Sequence, residues 1–216
     1  MKLTRAGIKD RAAWEKAGIT LPGYDVEAVS EKAKKEPVWV HFGIGNIFRV
    51  FIGGIADGLL EEGVMDRGIT CVETFDYDVV DKIYQPYDNL GLNVILHGNG
   101  TREYKVIGSL AEAVKAQASD PEQWERLKEI FASSSLQLVS FTITEKGYAL
   151  HRADGTWLPY VAADIQNGPE KATGAMAVLV AMLYVRYQAG KYPLALVSMD
   201  NCSQNGAKLR ESVLTM

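Results

Sequence analysis

The sequence contains few of the residues that form cross-links or hold metals. Its 216 residues include only two cysteines, Cys71 and Cys202, and three histidines that are scattered along the chain. Each cysteine lies in or beside a predicted strand, which is typical of a buried or half-buried thiol in a reducing compartment. The cysteine and histidine spacings match no metal-binding pattern. Neither a disulfide framework nor a metal site is therefore expected.

The chain also lacks a long apolar run and an excess of positive charge. Its longest apolar stretch, residues 175–184, is too short to cross a bilayer. The N-terminal residues are charged and contain no apolar segment of signal-peptide length. The net charge of -4 does not favour binding to nucleic acid or to an acidic membrane surface. We expect a cytoplasmic protein without a nucleic-acid or membrane partner.

Short apolar runs alternate with amphipathic segments from Pro37 onward. The apolar runs predict strands at residues 38–42, 68–74, 136–143 and 194–199. The amphipathic or mostly apolar longer segments predict helices at residues 47–60, 76–84, 121–133, 173–188 and 205–214. Two further runs, 92–97 and 103–107, flank an Asn-Gly turn and predict a β-hairpin. Ser109 is predicted to be the N-cap of another helix.

Buried strands that alternate with helices predict an α/β protein of the Rossmann type. In this fold, helices cover both faces of a mostly parallel sheet, and the hairpin at 92–107 is an insertion. Residues 1–36 are polar and partly helical, and we expect them to form an extension before a dinucleotide-binding domain at 37–216. Because ligands of such sheets bind beyond the C-terminal ends of the strands, the loops that follow the strands are the candidate binding loops.

The loop after the first of these strands carries two glycines at the spacing of a phosphate-binding turn. Such glycines allow a tight turn and a close approach of backbone N–H groups to a pyrophosphate, which the following helix N-terminus attracts. The third glycine of the usual pattern is absent, because Phe48 stands in its place. A plain strand-to-helix turn is the alternative. The candidate cofactor contacts are Gly43, Ile44, Gly45, Asn46 and Arg49.

The second of these strands ends at an acid, Glu73. Dinucleotide folds place an acid at this point, where it binds the ribose hydroxyls of the adenosine. A carboxylate there repels a 2′-phosphate, so the sequence favours NAD over NADP. The alternative is a surface acid that caps the next helix, although Asp76 is the better capping candidate.

Two later loops collect polar residues at the same expected edge of the sheet. Thr144 begins a segment that commonly approaches the nicotinamide in this fold, and Lys146 could be a base or a solvated surface residue. Residues 198–206 are rich in amides and hydroxyls, which could donate hydrogen bonds to a carbonyl or a developing alkoxide. A turn that caps the final helix is the alternative for this second loop.

These motifs together resemble the mannitol dehydrogenase family of long-chain polyol dehydrogenases. The segments HFGIGNIFR, PYDNLGLNVILHGNGTREYKVIGSL, SFTITEKGY and VSMDNCSQNG, with Glu73, occur in the order typical of that family. The resemblance covers about residues 37–214, and SFTITEKGY and SMDN-x-x-x-NG are its specific parts. Met199 and Phe48 depart from the usual pattern, which leaves the subfamily open.

The resemblance implies a metal-independent hydride transfer between NAD(P) and a secondary alcohol of a polyol or hexonate, such as mannitol/fructose or mannonate/fructuronate. It makes Asn201 one of two amides that polarise the substrate oxygen. The family's base is a lysine of a helical C-terminal domain, followed there by an asparagine and a histidine, and no segment after Gly206 carries that pattern. We therefore expect that the C-terminal substrate domain is absent from this chain and that the chain alone is inactive.

Two other functional classes stay open at the level of the sequence. A Rossmann domain can be a nucleotide-binding or assembly module without catalysis. A methyltransferase-like domain also uses a glycine turn and an acid at a strand end. Binding of S-adenosylmethionine without binding of NAD would indicate the latter.

Overall fold

The computed structural model describes all 216 residues of the chain. The strands are β1 (Ile19–Thr20), β2 (Trp39–Phe42), β3 (Ile69–Glu73), β4 (Gly91–Leu96), β5 (Arg102–Ile107), β6 (Leu110–Lys115), β7 (Leu138–Phe141) and β8 (Ala195–Ser198). The α-helices are α1 (Arg11–Lys16), α2 (Val26–Lys35), α3 (Gly53–Glu61), α4 (Pro121–Ala132), α5 (Thr144–Tyr148), α6 (Pro159–Asn167), α7 (Ala175–Ala189) and α8 (Asn205–Thr215). Two π-helical segments, Phe48–Ile52 and Val80–Tyr84, complete the main elements.

The strands form two sheets. The larger has five strands in the order β6-β3-β2-β7-β8, and β7 pairs in parallel with both β2 and β8. This arrangement confirms the predicted α/β fold with a parallel sheet. The smaller sheet has the order β1-β5-β4, in which β4 and β5 are antiparallel. The hairpin is thus confirmed, and β1 adds to it a parallel strand that the sequence did not predict.

The chain folds into two compact units. The first unit comprises Met1–Pro37, Ile44–Cys71 and Asp78–Ala113, and the second comprises Val38–Gly43, Val72–Tyr77 and Val114–Met216. No helix is both long enough and apolar enough to cross a membrane. The expected boundary between an extension and a domain at residue 37 stays a prediction.

In the first unit, a buried carboxylate joins the N-terminal segment to α3 and the hairpin. Asp57 of α3 is fully buried. Its Oδ1 accepts hydrogen bonds from the Tyr24 hydroxyl at 2.5 Å and the Gly108 N–H at 2.9 Å, while the Lys105 ammonium lies 2.9 Å from Oδ2. Burial, followed by the charge of Asp57, raises the pKa of Tyr24 far above its ordinary value. A buried charge that is both paired and hydrogen-bonded stabilises the contact between these segments.

The core of the second unit lies between β2, β7 and the helices α4 and α7. Phe42 stacks on Phe141 with ring centroids 5.3 Å apart and meets the edge of Phe131 at 6.3 Å. Helix α4 begins where the sequence predicts, because the Asp120 side chain accepts a hydrogen bond from the Gln123 N–H. The buried residues of α4, among them Leu127 and Phe131, then belong to the same core as β2 and β7.

A single arginine of α7 joins three segments of the second unit. The buried guanidinium of Arg186 donates five hydrogen bonds, all to backbone carbonyls. The acceptors belong to the end of α4, the start of the β7 segment and the turn before β8: Phe131, Ser133, Leu136, Tyr192 and Pro193. Every N–H donor of the guanidinium is therefore used.

One predicted helix is wrong. The segment after Ser109 forms strand β6 rather than a helix. The Ser109 hydroxyl donates to the Gly53 carbonyl at 2.7 Å, so it is not available as an N-cap. The apolar residues of this short segment fit both a helical and an extended spacing, and pairing within the sheet decides between them. Helices α5 and α6 were not predicted.

Candidate functional site

The chain leaves β2 through a turn that only glycine can form. Gly43 has φ +88, a left-handed conformation that side chains rarely adopt. A Cβ atom at this position would lie 2.2 Å from the Thr142 carbonyl oxygen. The Gly43 N–H donates to the Val72 carbonyl at 3.1 Å, which ties the turn to the neighbouring strand. The first glycine of the predicted loop is therefore required by the fold.

Within the first unit, the remaining loop residues differ in what they offer. Gly45 is exposed, and a Cβ there would meet no atom within 4 Å. Asn46 is also exposed, and its Oδ1 accepts a hydrogen bond from Arg49 Nη2 at 2.5 Å. The Ile44 side chain is buried, and its carbonyl accepts from the Tyr84 hydroxyl at 2.9 Å. Ile44 can thus contact a ligand only through its backbone.

A polar ladder crosses from β2 to β7 directly below the glycine turn. The His41 ring is buried, with Nδ1 at 2.7 Å from Ser140 Oγ and Nε2 at 2.8 Å from Thr142 Oγ1. Trp39 Nε1 donates to Ser140 Oγ at 2.7 Å, and the Thr142 hydroxyl donates to the Gly43 carbonyl at 2.7 Å. Burial lowers the pKa of His41 to about 3, so the ring is neutral.

At the end of β3, Glu73 holds its own loop. The mostly buried side chain accepts hydrogen bonds at Oε1 from the N–H groups of Thr74, Phe75 and Asp76, at 2.9, 3.0 and 3.4 Å. The carboxylate therefore lies at the carboxyl end of the strand, where the sequence analysis placed it. It also supports the turn that directly follows the strand, a task that the sequence did not predict for it.

A second carboxylate, Asp200, links the loops after β7 and β8. It accepts hydrogen bonds from the Ile143 and Thr144 N–H groups, at 3.1 and 2.9 Å, and from the Tyr148 hydroxyl at 2.5 Å. Burial and the bond to Asp200 raise the pKa of Tyr148 well above its ordinary value. Thr144, with φ +64, occupies a strained left-handed conformation that these contacts hold.

The predicted substrate amide follows Asp200 directly. The Asn201 side chain is exposed, and so is that of Lys146. The Asn205 amide donates to the carbonyls of Ser198 and Asp200, at 3.2 and 3.0 Å, and thereby closes the loop in which Asn201 lies. Asn205 is also the first residue of α8, so the loop both begins the helix and presents the amide.

The sequence indicated the exposed candidate residues of these loops. It did not indicate the residues whose side chains hold the loops in place. Asp200 and Tyr148 lie inside the motifs that were singled out, but their partners depend on which strands are neighbours. The His41 ladder needs the register of β2 against β7, in which His41 is opposite Ser140. No group of three or more His, Cys, Asp or Glu residues is placed to hold a metal ion.

Residues 37–216 match the sequence profile of the mannitol dehydrogenase Rossmann domain. The chain is 50% identical over 99% of its length to D-mannonate oxidoreductase of Thermotoga maritima, covering 39% of that protein. It is 29% identical over 92% of its length to polyol:NADP oxidoreductase of Gluconobacter oxydans, covering 40% of that protein.

Among solved structures, the chain resembles Pseudomonas fluorescens mannitol 2-dehydrogenase in ternary complex with NAD and D-mannitol. The TM-score is 0.80 at 25% identity, and the match covers 99% of this chain and 42% of that one. The chain thus spans about two fifths of the length of the relatives that it matches. The profile match, the fold and the order of the motifs agree, and the chain belongs to the mannitol dehydrogenase family, of which it carries the Rossmann domain.

Proposed function

We propose that this chain is the NAD-binding domain of a dehydrogenase that transfers a hydride between the cofactor and a secondary alcohol of a polyol or hexonate. The observation that carries the proposal is the turn at Gly43. It sits at the carboxyl end of a parallel strand, the position where α/β sheets bind their ligands. The nicotinamide ring of the bound cofactor supplies the hydride acceptor or donor.

The loop that follows the turn suits a pyrophosphate. No protein atom lies within 4 Å of a Cβ built on Gly45, so packing within the chain does not demand glycine there. A ligand that comes close to the backbone would demand it. In this proposal Gly43 shapes the turn, the N–H groups of Ile44, Gly45 and Asn46 face the phosphates, and Arg49 adds a positive charge.

Glu73 is proposed to bind the adenosine ribose and to favour NAD over NADP. Its carboxylate is fixed by three N–H donors at the end of β3, so it meets a ligand as an ordered charge. A fixed negative charge attracts paired ribose hydroxyls and repels a 2′-phosphate. Thr144, fixed by Asp200 in the loop after β7, is proposed to contact the nicotinamide half.

The reaction of the whole protein is proposed from its relatives. Asn201, exposed beside the fixed Asp200, is proposed to donate a hydrogen bond to the reacting oxygen. The proton acceptor is proposed to be a lysine of a second, helical domain outside residues 1–216. The relationship to a D-mannonate oxidoreductase favours mannonate/fructuronate over mannitol/fructose as the substrate pair.

Calorimetric titration of the purified chain with NADH and NADPH tests the cofactor. We expect NADH to bind more tightly than NADPH. Glu73→Gln keeps an acceptor for the three N–H groups but removes the charge, so it should weaken NADH binding and narrow the preference over NADPH. Glu122→Gln, an exposed acid of α4, is the matched control. Tighter binding of NADPH by the unaltered chain would contradict the role of Glu73, and binding of S-adenosylmethionine alone would contradict the proposed function.

A dehydrogenase assay of this chain tests whether the base is Lys146 or a lysine of a second domain. With saturating NAD(H) and a panel of hexonates and polyols, we expect no useful activity from the 216-residue chain. A base within hydrogen-bond reach is worth about 10²–10⁴-fold in rate, and loss of one wall of the pocket costs further positioning. Robust turnover that Lys146→Ala abolishes would refute this proposal and identify Lys146 as the base.

A further inference from the structure

The buried ladder below the glycine turn has one consistent direction of hydrogen bonding. Trp39 Nε1 can only donate, so the Ser140 oxygen accepts from it and the Ser140 hydroxyl proton is available for His41 Nδ1. At the other end, the Gly43 carbonyl can only accept, so the Thr142 hydroxyl donates to it. The Thr142 oxygen is then the acceptor for an N–H at His41 Nε2.

These assignments fix the tautomer of the histidine. The ring carries its proton on Nε2, where the Thr142 oxygen accepts it, and the His41 side chain also makes a hydrogen bond with the Gly43 backbone. A protonated ring would present N–H groups at both nitrogens and would leave the Ser140 hydroxyl without its acceptor. The neutral form therefore matches the ladder, in agreement with the lowered pKa of His41.

The ladder ends on the peptide group that starts the turn. Thr142 contacts Gly43 twice: its hydroxyl donates to the Gly43 carbonyl, and its own carbonyl occupies the space that a Gly43 side chain would need. The Gly43 N–H is held by the Val72 carbonyl. Both polar groups of Gly43 are therefore fixed, which holds the conformation of the turn at Gly43 itself.

We propose that His41 is a positioning residue for dinucleotide binding, acting through Thr142 to hold the Gly43 turn in the shape that admits the pyrophosphate. This inference rests on the proposed function, since it assigns a task to a residue behind the same loop. His41 touches no ligand in this arrangement. Its contribution is the supply of one N–H donor to the Thr142 oxygen at a partly buried point.

Three variants separate the two nitrogens of the ring. In His41→Gln the side-chain amide reaches about as far as Nε2 and can still donate to Thr142. In His41→Asn the shorter amide reaches only the position of Nδ1, so the donor to Thr142 is lost. Thr142→Val keeps the shape of the side chain and removes its hydroxyl. Arg186→Lys is a stability control, because it weakens the same unit without touching the turn.

The measurement is the NADH dissociation constant at pH 7.5 by calorimetry, together with the melting temperature of each variant. We expect His41→Asn and Thr142→Val to weaken NADH binding about tenfold, the value of one lost hydrogen bond. The NADH dissociation constant of His41→Gln should stay within about threefold of that of the unaltered chain. The double variant His41→Asn/Thr142→Val should bind NADH no more weakly than either single variant, because both substitutions remove the same hydrogen bond. Arg186→Lys should lower the melting temperature and leave NADH binding unchanged.

Two results would overturn the inference. One is NADH binding that is unchanged in both His41→Asn and Thr142→Val. The other is an affinity that falls in step with the melting temperature across all variants, Arg186→Lys included, since that is the behaviour of a residue with only a structural role. If the unaltered chain binds neither NADH nor NADPH, the proposed function itself fails, and this inference with it.

Discussion

Replacing Arg186 tests how much of the second unit depends on one buried cation. The guanidinium donates to five carbonyls at 2.6 to 3.1 Å, and no carboxylate takes part in these contacts. Burial lowers the pKa of Arg186, with Tyr192 as an opposing influence. The charge is therefore stabilised by carbonyl dipoles and by the Tyr192 ring, whose centroid lies 5.5 Å from Arg186 Cζ. Two of the carbonyls belong to the C-terminal end of α4, where a cation is favoured.

The expected loss follows from the number of donors. Lysine offers three N–H donors on one atom, so Arg186→Lys leaves at least two of the five carbonyls without a partner. At about 1 kcal/mol or more for each buried group, the free energy of unfolding should fall by about 2–3 kcal/mol. Arg186→Met removes all five bonds and should cost about 3–5 kcal/mol, although the loss of a desolvated charge offsets part of it.

Urea unfolding followed by circular dichroism measures both variants. Arg210→Lys is the matched control, because Arg210 is exposed on α8 and the same exchange there should change the free energy of unfolding by less than about 0.5 kcal/mol, the usual range for surface positions. A loss below about 1 kcal/mol for Arg186→Lys would refute the reasoning. It would mean that water or a shift of the α4 end satisfies the carbonyls without the guanidinium.

Three further predictions concern pH, a buried ion pair and an exposed apolar surface. Because the pKa of His41 is about 3 in the fold and 6.5 ordinarily, unfolding takes up a proton between these values and stability falls as the pH drops below 6.5. His41→Gln has no group that titrates in this range. The difference in the free energy of unfolding between the unaltered chain and His41→Gln, measured by urea titration, should therefore decrease by about 2 kcal/mol from pH 7 to pH 5. A difference that stays the same at both pH values would contradict this prediction. Asp57→Asn deprives the Lys105 ammonium of its carboxylate and should lower the free energy of unfolding by about 3 kcal/mol, and a loss below about 1 kcal/mol would contradict the role of this pair. Phe51 is 65% exposed, and Ile47 and Ile55, four residues before and after it, are also exposed. This apolar surface should promote self-association, so Phe51→Ser should shift sedimentation velocity profiles toward monomer without lowering the melting temperature.

Most of the fold could be predicted because its signals are local. The strands at 38–42 and 194–199 are short apolar runs, and α4 begins at an Asp-Pro pair whose capping role the structure confirms. The prediction of a helix after Ser109 was wrong because it also relied on a local signal. Six residues are too few to distinguish a helical spacing of apolar residues from an extended one. Its conformation is decided by the neighbouring strand and by the Gly53 carbonyl, which are distant in sequence.

The candidate site likewise contains residues that could be predicted from local sequence and residues that could not. The role of Gly43 was predictable because a glycine between a buried strand and a helix allows a tight turn, and its φ of +88 agrees with such a turn. The ladder through His41 was not, because its partners lie 99 and 101 residues away and become neighbours only through the β2–β7 register. A histidine in an apolar strand is interpreted as a core residue until that register is known.

The polar side chains at the carboxyl ends of the strands bond to the backbone of the loops. Glu73 accepts three N–H groups, Asp200 accepts two, and the Thr142 hydroxyl donates to a carbonyl. Each of these side chains therefore fixes peptide groups, and it is peptide N–H groups that suit the binding of a phosphate. Replacing such a carboxylate with alanine removes the loop support and the charge together, so a loss of binding would not tell one from the other. Amide replacements keep an acceptor and remove the charge, which makes glutamine and asparagine the substitutions that distinguish a ligand contact from a loop support.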